Sequence, residues 1–299
     1  DKPVQTGYVF TGWFDAPTGG AQIAQDHVFT AETALYAQWA ADTITWSYDQ
    51  PTKTLTISGA GPMPDYSTSN RPPWAAHEGE MEQVVINSGV TSIGDLAFYS
   101  CTNLTGITIP EGVESIGSSA FWNCTSLTNI TIPNSVTSVG GAAFWNCTSL
   151  TSVDIPDGVT SIGGSTFDGC TNLTSVTIPD SVTSIEYSAF FGCSSLTGIT
   201  IPDGVKSIGN SAFSGCAALT NINIPNSVTS IEDSAFFYCS SLISITIPDG
   251  VTSIGGNTFD GCSSLTNVTL PGTLTSIGEN AFFSCDALTS ITIPDGVTS

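Results

Sequence analysis

The stretch CTSLTNITIPNSVTSVGGAAFWN, residues 124–146, decides the fold, because the chain restates it almost residue for residue from position 147. The same 23-residue unit recurs without insertion or deletion for more than two hundred residues. Each unit carries a cysteine, a leucine three residues later, an Ile/Val-x-Ile/Leu-Pro run, and a phenylalanine near its end. Periods of 20–50 residues are typical of solenoids and propellers.

Nine cysteines mark the period, each 23 residues after the one before it. They are Cys101, Cys124, Cys147, Cys170, Cys193, Cys216, Cys239, Cys262 and Cys285. In stacked units these side chains would run parallel, which leaves their Cβ atoms beyond the roughly 3.5–4.5 Å that a disulfide needs. The C-x2-C pairs of zinc sites are absent from the sequence. We therefore expect buried free thiols that act as small hydrophobic residues, with no metal and no cofactor.

Within one unit, the run LTNITI at 127–132 alternates apolar with small polar residues and is rich in β-branched side chains, which predicts a short strand. The proline that follows ends the strand, and a P-D-G or P-N-S sequence predicts a turn. The segment VTSIG of the other units returns the chain, and AFWN bends it round the far side. The unit is too short for a strand and a full helix, so we expect a short extended piece or a single helical turn there.

A single unit cannot bury enough apolar surface to offset the entropy of ordering its backbone. Stacked units share a core on both sides, and each adds a parallel strand about 4.8 Å from the last. The sequence therefore predicts a solenoid with a continuous parallel β-sheet on its concave face and short irregular or helical-turn segments on its convex face. The apolar register extends back to Met81, which places the start of the array near that residue.

The consensus C-x-x-L-x-x-I-x-I-P-x-x-V-x-S-I-x-x-x-A-F resembles the Treponema-type leucine-rich repeat of BspA-like bacterial surface proteins. The resemblance covers about 81–299 and implies a curved leucine-rich-repeat solenoid, export to the cell surface, and adhesion to host or matrix proteins. The segment 44–66 is similar to the hairpin that precedes such arrays, with strand-like runs at 43–48 and 54–58. Such a hairpin would cap the open first edge of the sheet.

Residues 7–39 resemble the later half of the Listeria–Bacteroides repeat, a small β module of surface proteins, through GYVFTGW, a Thr-Gly-Gly turn and LYAQW. We therefore divide the chain into a partial β module (1–40), a hairpin cap (41–80) and a leucine-rich repeat array (81–299) of about nine and a half repeats. The sequence ends at IPDGVTS, partway through a repeat, so we expect a truncated array. An uncapped last repeat would allow end-to-end self-association.

Charge excludes two classes of partner. Four basic residues face 26 acidic ones, for a net charge of −22. Nucleic acid and anionic membrane surfaces would repel such a chain. No apolar run approaches the roughly 18 residues of a membrane span, so we expect no direct membrane insertion. An acidic, exported bacterial protein, extracellular or at the cell surface, fits this composition.

The first candidate binding surface is the outward column of the predicted concave strands, a smooth row of small uncharged residues broken by one aspartate. Its members are Thr108, Thr131, Asp154, Thr177, Thr200, Asn223 and Thr246. Strong interfaces usually contain Trp, Tyr or Arg hot spots, so this face predicts weak multi-point docking at most. Threonine as a good strand residue is the alternative, and a threonine ladder that binds ice is a third interpretation.

The second candidate, which we call the aromatic strip, lies one residue after the repeated phenylalanine. Its members are Tyr99, Trp122, Trp145, Phe191, Phe237 and Phe283, interrupted by Asp168, Ser214 and Asp260. These rings either close gaps between adjacent units or form a hydrophobic strip for a partner.

Catalytic motifs are missing: the sequence contains no G-x-S-x-G, H-E-x-x-H or P-loop pattern. The serines and threonines belong to the repeat, and no base accompanies them in its pattern. We therefore predict a non-enzymatic surface or secreted protein that mediates adhesion to a host matrix or surface protein, or to a glycan. A structural spacer that displays another domain, without a ligand of its own, is the alternative.

Overall fold

The N-terminal strands pair with each other. The computed structural model describes residues 8–18, 20–23, 34–41 and 43–298. Strand β1 (Tyr8–Phe14) runs antiparallel to β2 (Tyr36–Ala41), with an irregularity between Phe10 and Gly12. Much of the segment that resembles a Listeria–Bacteroides repeat lies outside the described residues, so that resemblance and the domain boundaries stay predictions.

A hairpin precedes the repeats and pairs with them. Strands β3 (Thr45–Asp49) and β4 (Thr54–Ser58) are antiparallel, and β4 pairs in parallel with the first repeat strand, β6 (Gln83–Ile86). Between them lie β5 (Gly61–Pro62) and a short 3-10 helix (Ala75–His77). Strand β3 is therefore the edge strand of a four-stranded sheet, and the hairpin covers the first edge of the array.

The repeats continue as alternating short strands, two in most units. In chain order they are β7 (Val90–Ile93), β8 (Gly106–Thr108), β9 (Ser115–Ile116), β10 (Ser138–Val139), β11 (Ser152–Asp154), β12 (Ser161–Ile162), β13 (Ser175–Thr177), β14 (Ser184–Ile185), β15 (Ser207–Ile208), β16 (Ser230–Ile231), β17 (Ser244–Thr246), β18 (Ser253–Ile254), β19 (Asn267–Thr269) and β20 (Ser276–Ile277). All their pairings with neighbouring units are parallel. The predicted parallel solenoid of 23-residue repeats is confirmed.

The predicted Ile-x-Ile strand forms a first ladder, and this ladder is shorter and more broken than one continuous sheet. It pairs as β4-β6-β8, β11-β13 and β17-β19, with isolated bridges such as Asn129↔Ser152 and Thr200↔Asn223 between the groups. In every unit after the first a proline follows the strand closely, and a proline has no N–H to donate to a ladder. The strands therefore rarely exceed three residues.

A second ladder lies where the sequence predicted only a returning segment. The Ser-Ile pairs of successive units, with Ser-Val in β10, stack in parallel as β7-β9-β10 and β12-β14-β15-β16-β18-β20, and β5 of the cap pairs with β7. This ladder lies on the returning segment. The far side that follows it, for which we expected a short extended piece or a single helical turn, contains neither a strand nor a helix in the described residues. In the described part of the chain, no helix is long and apolar enough to cross a membrane.

The third side of each coil is a run of tight turns whose N–H groups alternate in direction. In one unit, Ala120, Trp122 and Cys124 donate to carbonyls three residues earlier in their own coil. Ser119, Phe121 and Asn123 donate instead to the following coil, at 2.7–3.0 Å. This alternation satisfies the backbone without a helix, since every N–H has either a local or a neighbouring carbonyl.

Two positions of each turn have a positive φ, which explains their residue types. One column holds Leu96, Ser119, Ala142, Ser165, Ser188, Ser211, Ser234, Asn257 and Asn280; the other holds Ser100, Asn123, Asn146, Gly169, Gly192, Gly215, Tyr238, Gly261 and Ser284, with φ between 51° and 75° throughout. Glycine and asparagine adopt this left-handed region at the lowest cost. The second column accordingly uses them in six of its nine positions.

The core consists of columns of identical side chains. The repeated phenylalanines from Phe98 to Phe282 stack face to face, with ring centroids 5.3–5.6 Å apart. The leucine that follows each cysteine is fully buried from Leu104 to Leu265. The residue just before each phenylalanine is alanine or threonine. Where it is threonine, at Thr166 and Thr258, the hydroxyl donates to the carbonyl three residues earlier, at 2.7 Å.

The nine thiols are buried and unpaired, as predicted, and eight of them are also hydrogen-bonded. Eight of them, from Cys124 to Cys285, donate from Sγ to the carbonyl of the phenylalanine in the preceding coil, at 3.1–3.2 Å. The same carbonyl accepts the N–H of the cysteine in its own coil, as Phe98 does from Cys101. A cysteine therefore joins two coils while it fills an apolar position.

One tryptophan ends the phenylalanine column at the cap. Trp74 is buried, lies 6.0 Å from the ring of Phe98 at an interplanar angle of 24°, and donates from Nε1 to the carbonyl of Ala97 at 2.9 Å. Tyr66 and Trp46 pack edge-on against it. In the cap, Trp74 therefore occupies the position before Phe98 at the start of the phenylalanine column, with a larger ring.

We expect Trp74→Ala to lower the free energy of unfolding by about 3–5 kcal/mol, because it removes a fully buried ring and exposes Phe98. Trp74→Phe keeps a ring on the column and loses the hydrogen bond, so its cost should be about 1 kcal/mol. Urea unfolding monitored by circular dichroism measures both. Equal effects of the two variants would contradict the assigned role of the ring.

Burial should make the thiols inert. It raises the pKa of Cys147 and Cys216 to about 12, and that of Cys285 to about 11. Since the thiolate is the reactive form, we expect no internal cysteine to react with iodoacetamide at pH 8 before the array opens, and Cys285 to react first. Mass spectrometry of the alkylated peptides measures the order. Fast modification of Cys193, or a disulfide between neighbours, would contradict the packing.

Candidate functional site

The first candidate surface is an exposed polar row on the first ladder. Thr108, Thr131, Asp154, Thr177, Thr200, Asn223 and Thr246 are all exposed. The structure brings neighbours in this row together: Asp154 pairs with Thr177 across β11 and β13, and Thr177 Oγ1 donates to Asp154 Oδ1 at 2.6 Å. The isoleucine or valine before each member and the isoleucine after it point to the core, as the alternation of a strand requires.

The hydroxyls of a second row of threonines, beside this one, donate hydrogen bonds to the main chain. Thr151 and Thr174 donate from Oγ1 to the main-chain carbonyl of the equivalent residue one coil earlier, at 3.1 and 3.0 Å. These hydroxyls link coils and are not free for a ligand. Sequence reasoning missed one residue in this row, Ile243, whose side chain is 52% exposed where the neighbouring units have threonine.

The aromatic strip divides into two parts. At its N-terminal end Tyr99 meets Trp122 edge-on at 5.3 Å, and Trp122 stacks on Trp145 at 4.4 Å and 8°. All three are half-buried. Here the rings close the gaps between adjacent units, which is the first of the two predicted roles.

The C-terminal part of the strip is more exposed. Phe191 and Phe283 are 43% and 63% exposed, and Phe237 is half-buried against Tyr238 at 4.5 Å between centroids. Each ring is separated from the next by a coil that carries Ser214 or Asp260. These rings leave apolar surface in contact with solvent, which a hydrophobic strip for a partner would require; that role stays a prediction.

Two tyrosines flank the strip, and sequence reasoning missed both. Tyr187, 60% exposed, lies over Gly164, where a Cβ atom would come within 2.3 Å of its ring. Tyr238, 55% exposed, covers Gly261 in the same manner. The sequence shows that each tyrosine interrupts a column of otherwise non-aromatic residues, but it does not show which glycine the ring covers.

Asp168 is the unusual ionisable group of the strip. Its carboxyl is half-buried between coils, and burial raises its pKa to about 6, while a hydrogen bond from the Ser165 side chain acts in the opposite direction. Burial disfavours the charged form, so this carboxylate would gain from a cationic neighbour. In the described residues no lysine or arginine pairs with it.

Some of the acidic side chains accept main-chain hydrogen bonds at the corner that follows the second ladder. Asp95 and Asp233 accept the N–H of the residue 23 positions later, both at 2.7 Å. Glu186 and Glu232 reach back instead and accept N–H groups of the preceding coil at 3.2 and 3.0 Å. These carboxylates satisfy backbone donors that the corner leaves open.

The acidic loop around His77 forms ion pairs. Glu78 pairs with Arg71 and Glu82 with Lys53, while the His77 ring stacks on Tyr48 with centroids 4.0 Å apart. Among the residues that the structure describes, no three His, Cys, Asp or Glu side chains converge as metal ligands would.

Comparison with known proteins identifies this repeat. The family model described as BspA type leucine-rich repeat region matches residues 76–197 and 183–299, with six copies. A leucine-rich cell surface protein of Faecalibacterium prausnitzii A2-165 is 33% identical, with 87% of this chain and 83% of that chain covered and a TM-score of 0.56. A leucine-rich repeat protein of Bacteroides ovatus ATCC 8483 is 29% identical, with 85% and 82% covered and a TM-score of 0.60.

We expect the two parts of the strip to respond differently to truncation. Trp122→Ala removes a half-buried ring with an aromatic neighbour on each side and should destabilise the protein by about 2–3 kcal/mol. Phe283→Ala, at an exposed position, should cost at most about 0.5–1 kcal/mol. The shift of the urea midpoint reports each cost. A larger loss for Phe283 than for Trp122 would show that the exposed part of the strip is structural.

Proposed function

The chain belongs to the BspA-type leucine-rich repeat family, and from this premise we propose that it is a non-enzymatic bacterial surface or secreted protein that adheres to a host matrix or surface protein. Repeat proteins of this family generally work by presenting a surface for protein–protein interaction. A solenoid suits that role, because stacking extends one continuous surface with every added coil. The adhesive role and the host partner are the parts that we propose.

The observation that carries the proposal is where the repeats differ from one another. The phenylalanine and cysteine columns of the core hold one residue type from coil to coil. The aromatic strip, one residue later, changes from Tyr and Trp to Asp, Phe and Ser. Packing requires the uniform columns, whereas the varied column lies partly in solvent. Unlike side chains at equivalent surface positions are what recognition of a particular partner needs.

Location outside the cell is part of the same proposal. The similar protein of Faecalibacterium prausnitzii is described as a cell surface protein. A net charge of −22 and a surface of small polar side chains favour solubility and discourage association with anionic surfaces. We extend the surface location to this chain on that basis.

We expect the purified chain to capture at least one protein from a panel of immobilised host matrix proteins, measured by surface plasmon resonance. Thr131→Glu with Thr200→Glu tests the polar row, and Phe191→Ser with Phe283→Ser tests the strip. One of the two double variants should lose at least tenfold in affinity, because a charge or a lost anchor at the contact weakens binding.

The matched control is Thr160→Glu with Thr252→Glu, which makes the same chemical change at exposed threonines before the second ladder. It should bind as the unchanged chain does. Capture of nothing by the unchanged chain would contradict adhesion and favour the alternative, a structural spacer. Equal loss in the control would mean that charge alone governs capture.

A further inference from the structure

From Trp145 onward the aromatic strip alternates strictly between a ring and a small or acidic residue. The sequence of the column is Trp145, Asp168, Phe191, Ser214, Phe237, Asp260 and Phe283. Main-chain bonds place these residues on consecutive coils. The carbonyls of Asp168 and Phe191 accept N–H groups of the preceding coil at 2.7 Å, and those of Asp260 and Phe283 do so at 2.7 and 2.9 Å. Each aspartate therefore lies between two aromatic residues.

The spacing of the coils sets the width of each of these gaps. Rings on adjacent coils of the buried column are 5.3–5.6 Å apart, so strip residues that lie two coils apart stand on coils about 11 Å apart. Carbon atoms in contact are about 3.5–4.0 Å apart. The gap thus admits one aliphatic stem or guanidinium plane beside either ring. We call the two gaps that hold an aspartate, Trp145–Asp168–Phe191 and Phe237–Asp260–Phe283, the acidic notches.

The third gap behaves differently. Ser214, between Phe191 and Phe237, is only 2% exposed, so that gap is closed. Asp168 and Asp260 both remain partly accessible. The face of Trp145 opposite to the one that stacks on Trp122 is directed along the solenoid towards the coil of Asp168. An acidic notch therefore offers an aromatic wall, a partly buried carboxylate and access from solvent.

Aromatic walls around a carboxylate suit one kind of ligand group, a cation on an apolar stem. A lysine or arginine places its charge over a ring face and against the carboxylate while its methylenes cover the ring. The chain already contains this arrangement at the other end of the strip. The guanidinium of Arg71 lies 5.5 Å above the ring centroid of Tyr99 and pairs with Glu78.

The charge of the whole chain selects the same kind of partner. With four basic residues against 26 acidic ones, the molecule attracts polycations and repels polyanions. Asp168 and Asp260 are four coils apart, which at 5.3–5.6 Å per coil is about 22 Å. An extended peptide advances about 3.4 Å per residue, so two basic residues six positions apart span nearly that distance.

We propose that the two acidic notches bind lysine or arginine side chains of a basic polypeptide segment. This assignment rests on the proposed function in protein binding and names both the site and the chemistry of the partner.

The test uses synthetic peptides of glycine, serine and threonine with arginines at two positions six residues apart. A matched peptide carries citrulline, the neutral isostere of arginine, at both positions. Calorimetry on the complete chain should give at least tenfold tighter binding for the arginine peptide. Asp168→Asn and Asp260→Asn should each weaken binding several-fold, and the double variant should bind the arginine peptide no better than the citrulline peptide.

The control is Asp180→Asn with Asp203→Asn, which removes the same charge from exposed turns where other units have asparagine. It should change the affinity by less than twofold. Binding to the unchanged chain should also weaken as the pH falls through about 6, where Asp168 takes up a proton, and Asp168→Asn should reduce this dependence. The other titratable groups beside Asp168 are the thiols of Cys170 and Cys193, whose raised pKa keeps them neutral over this range.

Three results would overturn the assignment: equal binding of the citrulline peptide, unchanged binding by the double variant, or an equal loss in the control, which would indicate diffuse charge attraction. Binding of a neutral oligosaccharide that depends on Trp145 and Phe191 would assign the notches to a glycan instead. If the arginine peptide fails while matrix capture persists, the notch assignment alone falls. If both fail, the proposed function falls with it.

Discussion

The structure depends on the hydrogen bonds that join each coil to the next through the main chain. In the turn region every second N–H reaches a carbonyl of the following coil at about the same distance from Phe98 to Phe259. Such bonds form only if successive coils have the same backbone path, so a one-residue insertion would break the register at every position beyond it. This constraint explains why the sequence keeps a period of 23 residues, and why like side chains lie above one another.

Residue choice then follows from position in the coil. The ring of each phenylalanine stacks on the ring in the neighbouring coil, and its carbonyl accepts a hydrogen bond from the thiol of the next coil. The phenylalanine and the cysteine together therefore link adjacent coils. Turn positions with a positive φ restrict the backbone, whereas the polar row and the exposed C-terminal part of the strip are restricted by neither packing nor φ. Function can therefore change in the strip and the polar row while the scaffold stays the same.

Much of this was predictable from the sequence, because the repeat shows every core column directly. The parallel solenoid, the buried cysteines and the apolar register back to Met81 all follow from periodicity. The second ladder did not, since a two-residue Ser-Ile strand is too short to show an alternation and exists only through pairing with its neighbours. Tyr187 and Tyr238 were missed because their effect depends on the glycines of the preceding and following coils, a contact that only coordinates reveal. The partial burial of Asp168, which raises the pKa of its carboxyl, also arises only when the coils stack, so the sequence did not show it.

The central claim is that every repeat adds one coil of constant height. Double electron–electron resonance between spin labels on the polar row tests it directly, because the native thiols are buried and the labels can be attached to cysteines introduced at exposed positions. With one label at position 108 and the second at 177, 223 or 269, which lie three, five and seven repeats away, the coil spacing of 5.3–5.6 Å predicts separations of about 16, 27 and 38 Å. A distance that rises by equal steps supports the account. Separations that do not increase with the number of intervening repeats would contradict it.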